Sequence, residues 1–133
     1  LIPLTDTSRF IIVSSILFHR YEGKFKICMD PASSEFFKDG KYDLAFKSNG
    51  GAGSPVDQHI TPQQLTEVYK GFIEKFPIVS IEDGHAEEDW EGFASMVEQT
   101  DIQIVGDDLT CTNPVRIQKA IDKKAANALL LKV

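Results

Sequence analysis

Three carboxylates and one ammonium sit at the ends of short apolar runs. Asp30 closes FKICMD, Glu82 ends IVSIE, Asp107 follows IQIVG, and Lys132 follows ALLL. Carboxylates gathered in a low-dielectric setting repel each other, so either their pKa values rise or a cation neutralises them. A donor set of oxygens alone, without histidine or cysteine, points to Mg2+ or Mn2+ rather than Zn2+. Taken singly, each acid reads as a solvated strand end or a helix cap. Taken together with Lys132, Asp30, Glu82 and Asp107 read better as metal ligands. Lys132 itself stays open between two roles. The approach Leu129-Leu130-Leu131 would bury its stem, and a desolvated lysine near a cation has a lowered pKa suited to a general base. It could equally pair with Glu82 or Asp107. Asp83 and Asp108 stand beside Glu82 and Asp107, and only one of two neighbours can point into a shared mouth. His85 lies in the polar stretch HAEEDW and reads as a loop residue, while Glu87, Glu88 and Asp89 suit the first turn of a helix.

The elements around these residues decide whether they can meet. Residues 24–29 read as a strand stopped by Asp30-Pro31, and Lys38-Asp39-Gly40-Lys41 reads as the turn of a small hairpin. Residues 49–55 (NGGAGSP) read as a mobile linker, since no phosphate-loop pattern and no helix start follow. Thr61-Pro62-Gln63-Gln64 opens a helix with a capping box and a first-position proline. Leu65, Val68, Tyr69, Phe72, Ile73 and Phe76 form its stripe, and Pro77 stops it. Residues 78–81 form a uniformly apolar strand, expected to be buried on both faces. A helix over 87–98 follows, with Trp90, Phe93, Ala94 and Val97 on one side, and then a strand over 102–105. Asn113-Pro114 opens a third helix with Ile117, Ala120 and Ile121 inward, and residues 128–133 form the last strand. This alternation predicts an α/β fold: a partial TIM-type (β/α) barrel of about four parallel strands and three helices, with a hairpin insertion. Parallel strands in such folds bring their carboxyl ends to one edge, where chemistry is done. Asp30, Glu82, Asp107 and Lys132 would all reach that edge.

The 133 residues suffice for one domain with a core, and a net charge of −6 argues against nucleic acid as a partner. Two cysteines make no disulfide framework; Cys28 reads as a buried reduced thiol. The apolar stretch over 10–18 is broken by two serines and is shorter than the roughly 20 residues that span a bilayer. A soluble, reducing compartment is therefore expected. Residues 1–20 fit no strand–helix unit and are left unassigned, with residues 21–133 taken as the partial barrel domain.

The segments KICMDPASSEFFKDGKYDLAFK, PIVSIEDGHAEEDW, IQIVGDDLTCTNPVRI and NALLLKV closely resemble the enolases, the glycolytic phosphopyruvate hydratases. The resemblance covers about residues 21 to 133. It implies Mg2+ held by Asp30, Glu82 and Asp107, which with Lys132 surround the substrate, and Lys132 as the base that takes the C2 proton of 2-phosphoglycerate on the way to phosphoenolpyruvate. It further implies a cytoplasmic location and, for whole family members, a homodimer. The family's general acid and phosphate-binding groups are expected outside these residues, so the 133-residue chain alone is expected to be inactive. Gly84-His85 replaces the Pro-Phe of many eukaryotic members, and Pro31 stands where a small aliphatic residue is usual. Two other readings compete: another enolase-superfamily acid/base enzyme, and a non-catalytic fragment that binds a partner.

Overall fold

The computed structural model describes residues 23–48 and 51–133. The unassigned stretch 1–20 lies outside them. The described chain begins with β1 (Ile27–Met29) and a 3₁₀ turn (Ser33–Phe36), then a hairpin of β2 (Phe37–Lys38) and β3 (Lys41–Tyr42). After a second 3₁₀ turn (Val56–Gln58) come α1 (Pro62–Lys75), β4 (Ile78–Glu82), α2 (Trp90–Gln99), β5 (Gln103–Gly106), α3 (Pro114–Lys123) and β6 (Ala128–Leu129). Strands β1, β4, β5 and β6 pair in that order in one parallel sheet. The α/β alternation with a hairpin insertion is as expected. Both outer strands are shorter than their apolar runs, because each has a ladder partner on one side only among the described residues.

Local chemistry explains where the elements begin. Asp39 and Gly40 both take positive φ, as a two-residue hairpin turn with the strands' own twist requires. Thr61 Oγ1 accepts from Gln64 N at 3.3 Å while Gln64 Oε1 accepts from Thr61 N at 2.8 Å, which is the expected capping box. Helix α2 begins at Trp90 rather than at 87, because Asp89 is its cap and accepts from Gly92 N at 2.9 Å. Asn113 Oδ1 accepts from Val115 N and Arg116 N to start α3. One inward residue is corrected: Ile121 is 61% exposed, and Ala120 is the residue of α3 that reaches the core.

Sheet register sorts the strand residues into two faces. Met29, Ile81 and Ile104 lie in one row, facing α1 and α2 and packing in the core that holds Leu65, Tyr69, Phe93 and Met96. Cys28, Ser80 and Gln103 lie in the other, where the Ser80 hydroxyl donates to Gln103 Oε1 at 3.0 Å. The alternation carries Glu82, Val105 and Ala128 onto this second face, one step nearer the carboxyl ends. Two expectations fail here. Cys28 is exposed rather than buried, and Val79 in β4 is 39% exposed. Apolar composition alone does not report which face a neighbouring layer covers. The expected linker also differs: Asn49 and Gly50 lie outside the described residues, but Ser54 is anchored to Asp43 through its N–H (2.9 Å) and its hydroxyl (2.6 Å).

Between sheet, hairpin and helices sits a polar pair inside an aromatic shell. Tyr42 is fully buried; its hydroxyl donates to Asp89 Oδ2 at 2.7 Å and accepts from Ala86 N at 2.8 Å. Burial pushes its pKa far upward, so it stays a phenol. His85, read from the sequence as a loop residue, is wholly buried among the rings of Tyr42, Tyr69 and Phe93. Its Nδ1 donates to Gly84 O at 2.9 Å, which leaves Nε2 to accept from the Thr66 hydroxyl at 3.0 Å. A Cβ at Gly92 would run into this ring and the Asp89 carboxylate, so a side chain is excluded there. Tyr42→Phe should lower stability by about 1–3 kcal/mol in denaturant titrations, since it orphans the buried Ala86 N–H. Burial also holds the His85 pKa down at about 4 from 6.5. Below pH 6.5 the unfolded chain binds a proton that the folded chain refuses. Stability should therefore fall as the pH drops from 6.5 toward 4, by about 3 kcal/mol at 1.36 kcal/mol per unit. His85→Phe should remove that dependence in denaturant titrations run at stepped pH.

Candidate metal centre at the strand ends

The carboxyl ends of β4 and β5 bring acids together from separate segments. One ligand oxygen each from Glu82, Asp83 and Asp107 lies within 4.8 Å of the others. Glu82 ends β4 on the sheet face that also carries Cys28 and Ser80, and Asp107 lies two residues beyond Val105 on the same face. Asp30 stands outside this tight group. Its Oδ1 accepts from Ala32 N at 3.1 Å in the turn after β1. Its charge is still felt at Glu82, whose pKa is raised by desolvation first, then by Asp30, Asp107 and Asp83.

Lys132 comes from beyond β6, and its Nζ donates to Asp107 Oδ2 at 2.6 Å. This contact is the ion pair that the sequence offered as one of the two roles. The buried stem and lowered pKa expected of a desolvated base are not what is found. The Lys132 side chain is 64% exposed, and the hydrogen bond it donates to Asp107 raises its pKa. Leu129 and Leu131 are exposed as well, because the outer strand has nothing over it among the described residues. The Lys132 backbone N–H donates to Thr112 Oγ1 at 3.0 Å, which places the end of the last strand against the loop after Asp107. Thr112 and its neighbour Cys111 both take positive φ without being glycine, a costly conformation held by the surrounding bonds.

The donors suit a hard divalent cation. The set is carboxylate oxygen only, it is crowded enough to perturb Glu82, and an ammonium already occupies a cation's position on Asp107. Glu82 and Asp107 are half-buried, so their outer oxygens can reach a hydrated ion. Asp83 differs: it is buried, and both its oxygens accept backbone N–H groups, from Asp107 at 3.0 Å and from Asp108 at 2.9 Å.

Several supporting residues were not visible from the sequence. Ser33, which lacks any nucleophile's partners, donates its hydroxyl to Gly84 O at 2.9 Å and shares a hydrogen bond with Tyr69. Arg116 braces the loop after Asp107 by donating to Leu109 O at 2.7 Å, and it also binds Glu88 Oε1 and Glu87 O. Its guanidinium and the Lys119 ammonium both lie over the Trp90 ring. No local motif marks these pairings; the bonds join residues from different loops. Among the described residues no helix is long and apolar enough to cross a membrane. The family model of the enolase C-terminal TIM barrel domain matches residues 5–133.

Protons and a cation should compete for Glu82. Because its pKa is raised, Mn2+ affinity followed by electron paramagnetic resonance should begin to fall at a higher pH than an ordinary glutamate would dictate. Glu82→Gln should weaken binding throughout and flatten that limb of the pH profile.

Proposed function

The chain belongs to the family of enolase C-terminal TIM-barrel domains, and on that premise we propose that it supplies the metal ligands and the base of a Mg2+-dependent phosphopyruvate hydratase. The reaction is the reversible dehydration of 2-phosphoglycerate to phosphoenolpyruvate. The observation that carries this reading is the meeting of Glu82, Asp107 and Lys132 at one sheet edge, with Lys132 in contact with Asp107. Asp30, Glu82 and Asp107 are the assigned Mg2+ ligands. Lys132 is the assigned base, and with Glu82 and Asp107 it faces the substrate. Membership of this family supports a cytoplasmic location and a small phosphate ester as substrate.

The chemistry asks two things of these residues. Removing the proton from C2 builds negative charge on the neighbouring carboxylate, and a divalent cation bound here supplies the charge that offsets it. Lys132 must be neutral to take that proton, so its bond to Asp107, which favours the ammonium, has to be relaxed in the working state. Engaging the Asp107 carboxylate elsewhere relaxes it. The ion pair thus describes a resting arrangement in which the base is held in place and protonated. The C3 hydroxyl then leaves as water on accepting a proton from a general acid outside the assigned residues.

A chimera carrying residues 21–133 in place of the equivalent stretch of an active enolase tests the assignment. It should form phosphoenolpyruvate, followed by ultraviolet absorbance, and should need Mg2+. In that chimera Lys132→Ala should lower kcat by about 10²–10⁴-fold with a much smaller change in KM. It should also abolish exchange of the C2 proton with solvent. A chimera that folds by circular dichroism yet turns over equally well with Lys132→Ala would reject the assignment.

A further inference from the structure

Asp83 has both carboxylate oxygens and both backbone groups engaged, and neither of the chemical roles above uses it. Its Oδ1 accepts from Asp107 N at 3.0 Å and its Oδ2 from Asp108 N at 2.9 Å. Its own N–H donates to Val105 O at 3.1 Å, and its carbonyl accepts from Ser33 N at 3.1 Å. One residue therefore joins the loops that follow β1, β4 and β5. It does so in the left-handed region, with φ of 43°, where a non-glycine residue is sparsely found. Aspartate is among the few side chains that tolerate it. On the next residue, Ser33 Oγ donates to Gly84 O, and a Cβ at Gly84 would crowd Met96 and Ile81.

A carboxylate in this state has a different task from its neighbours. Both oxygens are committed to backbone donors and the residue is only 4% exposed, so a hydrated cation has little access to it. Glu82 and Asp107 are more open. Pinning two successive N–H groups fixes the backbone of residues 107 and 108, and with it the direction in which the Asp107 side chain leaves the sheet. Asp107 O accepts in turn from Thr110 N and Cys111 N, which locks the far side of the same residue.

We propose that Asp83 is a positioning residue: its buried carboxylate holds the Asp107 and Asp108 amides and so aims the Asp107 carboxylate beside Glu82, without ligating the cation itself. The link to cation binding rests on the metal-site reading above; the link to the amides does not.

The test uses two substitutions that keep the left-handed backbone. Asp83→Asn presents one acceptor and turns an NH2 toward an N–H donor, and Asp83→Gly removes the side chain altogether. Hydrogen exchange of the Asp107 and Asp108 amides is followed by NMR in metal-free protein, and Mn2+ alone is titrated with water-proton relaxation as readout. Both variants should lose protection at these two amides at least about tenfold while core amides of α1 and α2 keep theirs. Mn2+ affinity should weaken on the order of 10–100-fold, as for other groups that orient a ligand. Asp107→Asn should lose Mn2+ but keep both amides protected. If either Asp83 variant loses Mn2+ affinity with both amides still protected, Asp83 is a ligand and the proposal falls. Unchanged protection together with unchanged affinity also overturns it. If the unsubstituted protein fails to bind Mn2+, the metal-site reading fails, while the amide measurement still decides whether Asp83 aims Asp107.

Discussion

Negative charge crowded at the end of two adjacent strands is the constraint that the rest of this structure answers. Glu82, Asp83, Asp107 and Asp108 leave β4 and β5 side by side. Unscreened, such a group would push the strand ends apart. The fold offsets it in two ways. Asp83 is turned inward and given two backbone donors. Asp107 is given the Lys132 ammonium from the next strand. The pKa of Glu82 is raised, by desolvation first and then by the charges of Asp30, Asp107 and Asp83. A site whose charge is only partly balanced is one prepared for a cation.

The layers beneath explain how such a site is kept rigid. The row Met29, Ile81 and Ile104 packs under α1 and α2, so the opposite face of the same strands is held in register. Beside this layer, Tyr42 bonds the α2 cap Asp89 and the Ala86 N–H, and His85 pairs with Thr66, inside an aromatic shell. Buried polar groups with every partner in place rigidify what they connect. That network reaches the site through the chain itself, since His85 is two residues from Asp83. Arg116 does the same from the other side by tying Leu109 to the loop before α2.

Much of the fold was legible because its signals are local. Thr61-Pro62 and Asn113-Pro114 mark helix starts through caps and fixed φ, and Asp39-Gly40 marks a turn through its tolerance of positive φ. The alternation of apolar runs with helical stripes then leads to a parallel sheet, and the sheet to a shared edge for Glu82 and Asp107. Misreadings arose where burial depends on a distant neighbour. Cys28 and Ile121 belong to apolar patterns yet are exposed, and Val79 is part-exposed although it shares the Ile81 face of β4. His85 shows the opposite case: a polar residue in a polar string, made into a core residue by the room at Gly92 and the hydroxyl of Thr66.

By itself, then, the sequence determined which acids and which lysine stand at strand ends, because element order and capping are set by residues close along the chain. The tertiary structure alone decided what each does there. That Asp83 turns inward and that Lys132 sits on Asp107 both depend on hydrogen bonds between segments tens of residues apart. Such bonds form only once the sheet has brought those loops together, and no spacing along the chain encodes their geometry.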